Sequence, residues 1–150
     1  MKLFHHRQRF NNKPHANYRQ VATQTATPGQ LVLMLFDGAI RFLERARQGF
    51  GLEDPLEFNQ TINNNVLRAQ AIINELNLAL DMDKGGDCAM TLRRLYNYMD
   101  VRLQEANQYK KEDGILDVVR RLTILRDAWA EMLQKNGAGS LPDFSLSVSG

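Results

Sequence analysis

The side chains best suited to chemistry are few in this 150-residue sequence and poorly placed for it. All three histidines, His5, His6 and His15, lie in the first 15 residues, while the single cysteine, Cys88, lies far from them. A thiol nucleophile needs a base beside it, and no histidine follows His15 to act as one for Cys88. A di-iron carboxylate bundle would need Glu-x-x-His pairs on its helices, and the chain has none. Gly85-Gly86 and Gly137-Ala138-Gly139 lack the lysine and the preceding strand of a phosphate-binding loop. The adjacent pair His5-His6 brings no further ligands with it, which makes it a poor metal site. Carboxylates are plentiful, but no spacing singles out a catalytic pair. These residues point to binding rather than catalysis, with no cofactor and no metal.

A binding protein of this kind is read from the elements that present its surface. The length suits one domain that buries about two-thirds of the surface its unfolded chain would expose. The lone Cys88 fits a reducing compartment, so a cytoplasmic location is expected. No apolar run has signal-peptide length, and none approaches the roughly 18 residues of a membrane span, so membrane insertion is not expected. The net charge of +2 is uneven. Lys2, Arg7, Arg9 and Lys13 occupy the first 17 residues without an acid among them, and the remainder is slightly acidic. Nucleic acid or an anionic surface could therefore be held only by that extension, and no nucleic-acid partner is expected of the body.

Helix-start signals divide the body into four segments. Thr27-Pro28-Gly29-Gln30 offers a Thr cap, proline at the first helical position and a glutamine able to bond back, which predicts a helix from Pro28 to about Phe50. Asp54-Pro55 repeats this logic for a second helix to about Leu80. Asp87, after Gly85-Gly86, is expected to cap a third helix to about Lys110, and Asp113 a fourth from Gly114 to about Lys135, stopped by Asn136-Gly137. Short connections make neighbours antiparallel, giving an all-α, four-helix antiparallel bundle over residues 18–135 with a short N-terminal cap segment. Residues 1–17 form a basic extension and 136–150 a Gly/Ser-rich tail. The one stretch of strand-like alternation, Phe144-Ser145-Leu146-Ser147-Val148, lies in that tail and is either a strand or an unstructured stretch, so the tail is assigned no fold.

The helix faces carry more apolar surface than one core needs. The first helix is apolar over roughly 200°, from Leu31 through Ile40 to Ala46, against a stripe of somewhat over 100° for a helix facing a single core. It is either a central helix touching three neighbours or a helix with an added partner surface. The second helix pairs a core face (Phe58, Ile62, Val66, Ala69, Ile72, Ile73, Leu76, Leu80) with an opposite stripe of Leu56, Leu67, Ala71 and Leu78. Gln60, Asn63 and Asn74 flank that stripe, and neutral amides cost less to desolvate than charges. It is either a set of scattered surface leucines or a groove that is at times covered. On the third helix Leu92, Leu95, Tyr96, Met99, Leu103 and Ala106 share a face, with Tyr98 and Tyr109 at its edge, where tyrosines suit an interface. On the fourth, Val118, Leu122, Leu125, Trp129 and Met132 read as core.

Several stretches together resemble one family. They are Tyr18-Arg19-Gln20, Thr25–Leu31 (TATPGQL), Leu33–Ile40 (LMLFDGAI), Ala69–Leu76 (AQAIINEL), Leu95–Met99 (LYNYM), Arg102-Leu103, Glu105–Asn107 (EAN) and Leu125–Trp129 (LRDAW). In order and spacing, from Pro14 to Leu133, the chain resembles the flagellin export chaperones of the FliS family. The resemblance implies an antiparallel bundle that binds the disordered C-terminal segment of flagellin in the cytosol, prevents premature polymerisation and presents the cargo to the flagellar export gate. It also implies that the segment around Tyr18 folds back on the bundle when no client is bound, although His15 stands here where the family has an aromatic residue. The client surface expected on this basis comprises Tyr18, Leu35 and Ile40 of the first helix, Leu67, Ala71 and Leu78 of the second, and Tyr96, Tyr98 and Met99 of the third. A homodimer and a regulatory partner are left open.

Overall fold

The computed structural model describes residues 25–136, and all four expected helices are present: α1 (Pro28–Gly49), α2 (Pro55–Leu78), α3 (Gly86–Tyr109) and α4 (Glu112–Asn136). Two of the start signals act as their chemistry demands. The Thr27 side chain accepts from the Gln30 N–H at 3.1 Å while Gln30 Oε1 accepts from the Thr27 N–H at 3.0 Å, a reciprocal box with Pro28 opening the helix. Asp54 accepts from the Glu57 N–H at 2.9 Å ahead of Pro55.

The other two starts differ from expectation. Gly85, with no side chain to bond, is the N-cap of α3, so Asp87 lies in the first turn. Glu112 opens α4, so Asp113 also lies inside the helix. In those positions the carboxylates act on the positive end of the helix dipole rather than on a single N–H, which a first-turn acid does at any of several positions. The turn from α3 into α4 is tight. Lys110 takes the left-handed conformation (φ 52°) as the C-cap of α3, and its N–H reaches the Ala106 carbonyl.

The helices form a ring in which each packs chiefly against two neighbours: α1 on α2 and α4, α3 on α2 and α4. The reading of α1 as a central helix with three neighbours is therefore corrected. Its wide apolar arc serves two seams at once. Val32, Leu35, Phe36, Ala39, Phe42, Leu43 and Ala46 are buried, Leu33 and Ile40 are half-buried against the core, and no large apolar side chain of α1 is exposed. The α1/α2 contact is the most extensive of the four. Close approach is possible there because Gly38 and Gly49, three turns apart, face α2. A Cβ on Gly38 would stand 3.2 Å from Ile72 Cδ1, and one on Gly49 3.0 Å from Thr61 and Ile62. From α2, α3 and α4 the same core receives Ile62, Val66, Ile73, Leu76, Met99, Leu103, Ile115, Val118 and Leu122. Among the described residues no helix is long and apolar enough to cross a membrane.

Candidate partner-binding surface

Each seam of the ring is closed by its own chemistry. Across α1/α4 run two ion pairs, Arg126 to Asp37 at 2.8 Å and Arg47 to Glu112 at 3.2 Å. Across α3/α4 the Asp117 carboxylate accepts from the Tyr98 hydroxyl at 2.6 Å and from Arg102 at 3.2 Å, while Arg121 binds its other oxygen at 3.0 Å and lies 4.8 Å above the Tyr98 ring. The Tyr98 hydroxyl, followed by Arg121 and Arg102, holds the Asp117 carboxyl below the usual carboxylate range. The α1/α2 seam is apolar, with the Arg45 and Arg68 guanidiniums over the Phe42 ring at 5.4 and 5.6 Å.

The α2/α3 seam is different, because every group that α2 contributes to it is a neutral amide or a backbone carbonyl. Gln70 donates to the Asp100 carboxylate at 3.1 Å, Asn77 to Asn97 at 2.9 Å, and Asn63 accepts from Asn107 at 2.9 Å. Arg93 of α3 reaches the Asn77 side chain and carbonyl at 3.2 and 3.3 Å. Outside this ladder, on the face of α2 away from the core, stand Leu56, Leu67 and Leu78, exposed by 63%, 50% and 69%. Residues 11 apart are separated by just over three whole turns, so the three leucines form a row of about 33 Å along the helix. Ala71, also exposed, lies one turn beyond Leu67. Val101 and Met90, both exposed, extend the apolar surface onto α3. A row of leucines above uncharged amides can be covered by an apolar partner without burying a charge from α2.

The residues expected at the client surface separate into four places. Leu67, Ala71 and Leu78 lie together on the outer face of α2. Tyr98 is exposed but belongs to the α3/α4 seam, not to the side of α3 that meets α2. Ile40 is half-buried, one turn beyond Asp37 and two before Arg47, both of which pair with α4. Leu35, Tyr96 and Met99 are core residues, 4%, 2% and 0% exposed, and their expected place on the surface is corrected: each sits at the centre of its helix's inward stripe. Tyr18 lies outside the described residues. Sequence reasoning left Val101 and Met90 out. Their signal was the one used for the α2 leucines, a large apolar side chain off the core face.

No group of three or more histidine, cysteine or carboxylate side chains that could hold a metal ion occurs among the described residues.

Comparison with known proteins gives a consistent result. The pattern of the family described as "Flagellar protein FliS" matches residues 10–136. The chain is similar to the flagellar secretion chaperone FliS of Bacillus subtilis, 34% identical over 134 residues, 85% of this chain and 96% of the relative. The protein of the same name from Salmonella typhimurium is 35% identical over 114 residues, 76% and 82% of the two chains. That of Campylobacter jejuni is 34% identical over 122 residues, 81% and 92%.

Proposed function

The chain belongs to the FliS family and is a flagellar secretion chaperone rather than an enzyme, and on that premise we propose that it binds the disordered C-terminal segment of flagellin along the outer face of α2. The binding holds the segment back from premature polymerisation in the cytoplasm, and the complex is the form handed to the flagellar export gate. The observation that carries this reading is the row Leu56, Leu67 and Leu78 over the amide ladder of the α2/α3 seam. An unfolded client offers apolar side chains at helical spacing once it coils on a groove, and a row with a period of three turns matches that spacing. Because α2 presents no charge to the seam, affinity should come from apolar burial and depend little on salt.

Titration of the full chain with a flagellin C-terminal peptide in a calorimeter tests this. One-to-one binding with a negative heat-capacity change and a shallow salt dependence is expected. Leu67→Asp should weaken binding on the order of 100-fold, since a leucine contact worth about 2–3 kcal/mol is replaced by a charge that must be desolvated. Helicity and melting temperature should stay close to those of the parent because Leu67 is exposed. Full affinity in Leu67→Asp would remove α2 from the site. Affinity that falls steeply with salt would point to the basic N-terminal extension and an anionic partner instead.

A further inference from the structure

The alternating stretch Phe144-Ser145-Leu146-Ser147-Val148 takes no part in the function proposed above, and it lies beyond the residues matched by the family, which end at 136. The place where the chain leaves the bundle gives it a destination. Trp129 Nε1 donates to the Gly29 carbonyl at 2.8 Å, so α4 ends beside the start of α1. In an antiparallel ring that same end holds the C-terminus of α2 and the N-terminus of α3. Large apolar side chains lie uncovered there. Leu78, at the last position of α2, and Met90, in α3, are 69% and 45% exposed, and Met82 between them is half-buried against the core.

We infer that the C-terminal segment of this chain is the occupant of that surface, with Phe144–Val148 laid extended across the α2–α3 connection. Phe144, Leu146 and Val148 would share one face of an extended segment, and the serines between them the other. The apolar face covers Leu78, Met82 and Met90, and the serines meet water. Reach is sufficient. Phe144 lies eight positions after Asn136, a reach of about 26–29 Å in extended chain, whereas the diagonal of a four-helix ring with 8–10 Å between neighbours is about 11–14 Å. Charge does not oppose the contact, since Asp143 is the sole charged residue in 137–150 and none follows it. Residues 1–24 also lead to this end of the bundle, but they carry clustered cations and no alternation. The seated tail overlaps one end of the leucine row, so it would compete there with any partner that uses Leu78.

The experiment needs no client, so its failure and the failure of the flagellin reading are separate results. Cys88, the one cysteine and exposed in the first turn of α3, takes a nitroxide label. Amide NMR of the full chain then reads which residues approach it. Signals of Phe144–Val148 should lose most of their intensity, recover when the nitroxide is reduced, and stay strong in labelled Leu78→Asp and in labelled Phe144→Ser. Undiminished tail signals in the labelled parent would overturn the inference, as would broadening that both variants retain. Broadening confined to residues 1–24 would make the N-terminal segment the occupant instead. Broadening of tail signals on an unlabelled copy mixed with labelled protein would show a second copy there. Either result excludes an intramolecular tail.

Discussion

Tyr96 and Tyr98 show at the scale of a residue how a shift of two positions on a helix changes a side chain's work. Tyr96 is buried in the core, and its hydroxyl has no hydrogen-bond partner among the described residues. Burial raises its pKa, because the phenolate would be stranded in apolar surroundings. A buried hydroxyl without a partner stabilises nothing, so Tyr96→Phe should leave stability unchanged or raise it by up to about 1 kcal/mol in urea unfolding. A loss of stability would reveal a hydrogen bond from that hydroxyl. Tyr98, by contrast, is one of three donors to Asp117. The folded pKa of Asp117 lies below its unfolded value of about 3.9, so its stabilisation is complete above that pH and is lost as pH falls through the folded pKa. Asp117→Asn should therefore lower stability at neutral pH and flatten the decline seen below about pH 4. Parallel acid limbs in the two proteins would show that Asp117 does not contribute to that decline.

At the scale of elements, the α1/α2 seam depends on two glycines with different neighbours. A side chain at Gly49 would meet Thr61 and Ile62, both β-branched and stiff at χ1, at 3.0 Å. Gly49→Val should cost about 1–3 kcal/mol through overpacking. At Gly38 the nearest atom is the terminal carbon of Ile72 at 3.2 Å, which can turn aside. The added Cβ also removes backbone freedom worth about 0.5–1 kcal/mol in a helix interior, so Gly38→Ala should be near neutral or stabilising. Thermal unfolding of the two variants side by side checks the contrast, and equal losses would mean that the seam yields nowhere. The two expected caps that moved, Asp87 and Asp113, belong to this scale too. Both mark the right turns, but a carboxylate is favourable at the cap and throughout the first turn, so its presence alone could not place the boundary to the residue.

For the whole molecule, closure of the ring rests on α4 meeting α1. The two ion pairs on that seam are partly exposed and worth little individually. Trp129 is buried, and its indole N–H is satisfied by the Gly29 carbonyl, so it joins the end of α4 to the start of α1 through both packing and a hydrogen bond. Trp129→Ala should cost about 3–5 kcal/mol, and Trp129→Phe about 1 kcal/mol for the lost hydrogen bond plus a smaller loss of volume. Denaturant unfolding would test both. Native stability in Trp129→Ala would show that the ring closes without it.

Helix number, type and approximate limits follow from the sequence alone, because capping boxes, prolines at first helical positions and apolar spacing near 3.6 are local and agree with one another. The stripe of Leu56, Leu67, Ala71 and Leu78 was legible for the same reason: it lies opposite a core face that α2 states clearly. Tertiary structure decided which surplus apolar residues stay uncovered. The arcs of α1 and α2 look alike along the chain, but α1 spends its full width between α2 and α4, while the outer face of α2 meets no other helix among the described residues. Periodicity gives the direction in which a side chain leaves its helix and nothing of what stands in that direction. Leu35, Tyr96 and Met99, which the family resemblance alone assigned to the client surface, lie inside the ring, and the amide ladder of the α2/α3 seam could not be read at all until Gln70, Asn77 and Asn63 met their partners from α3.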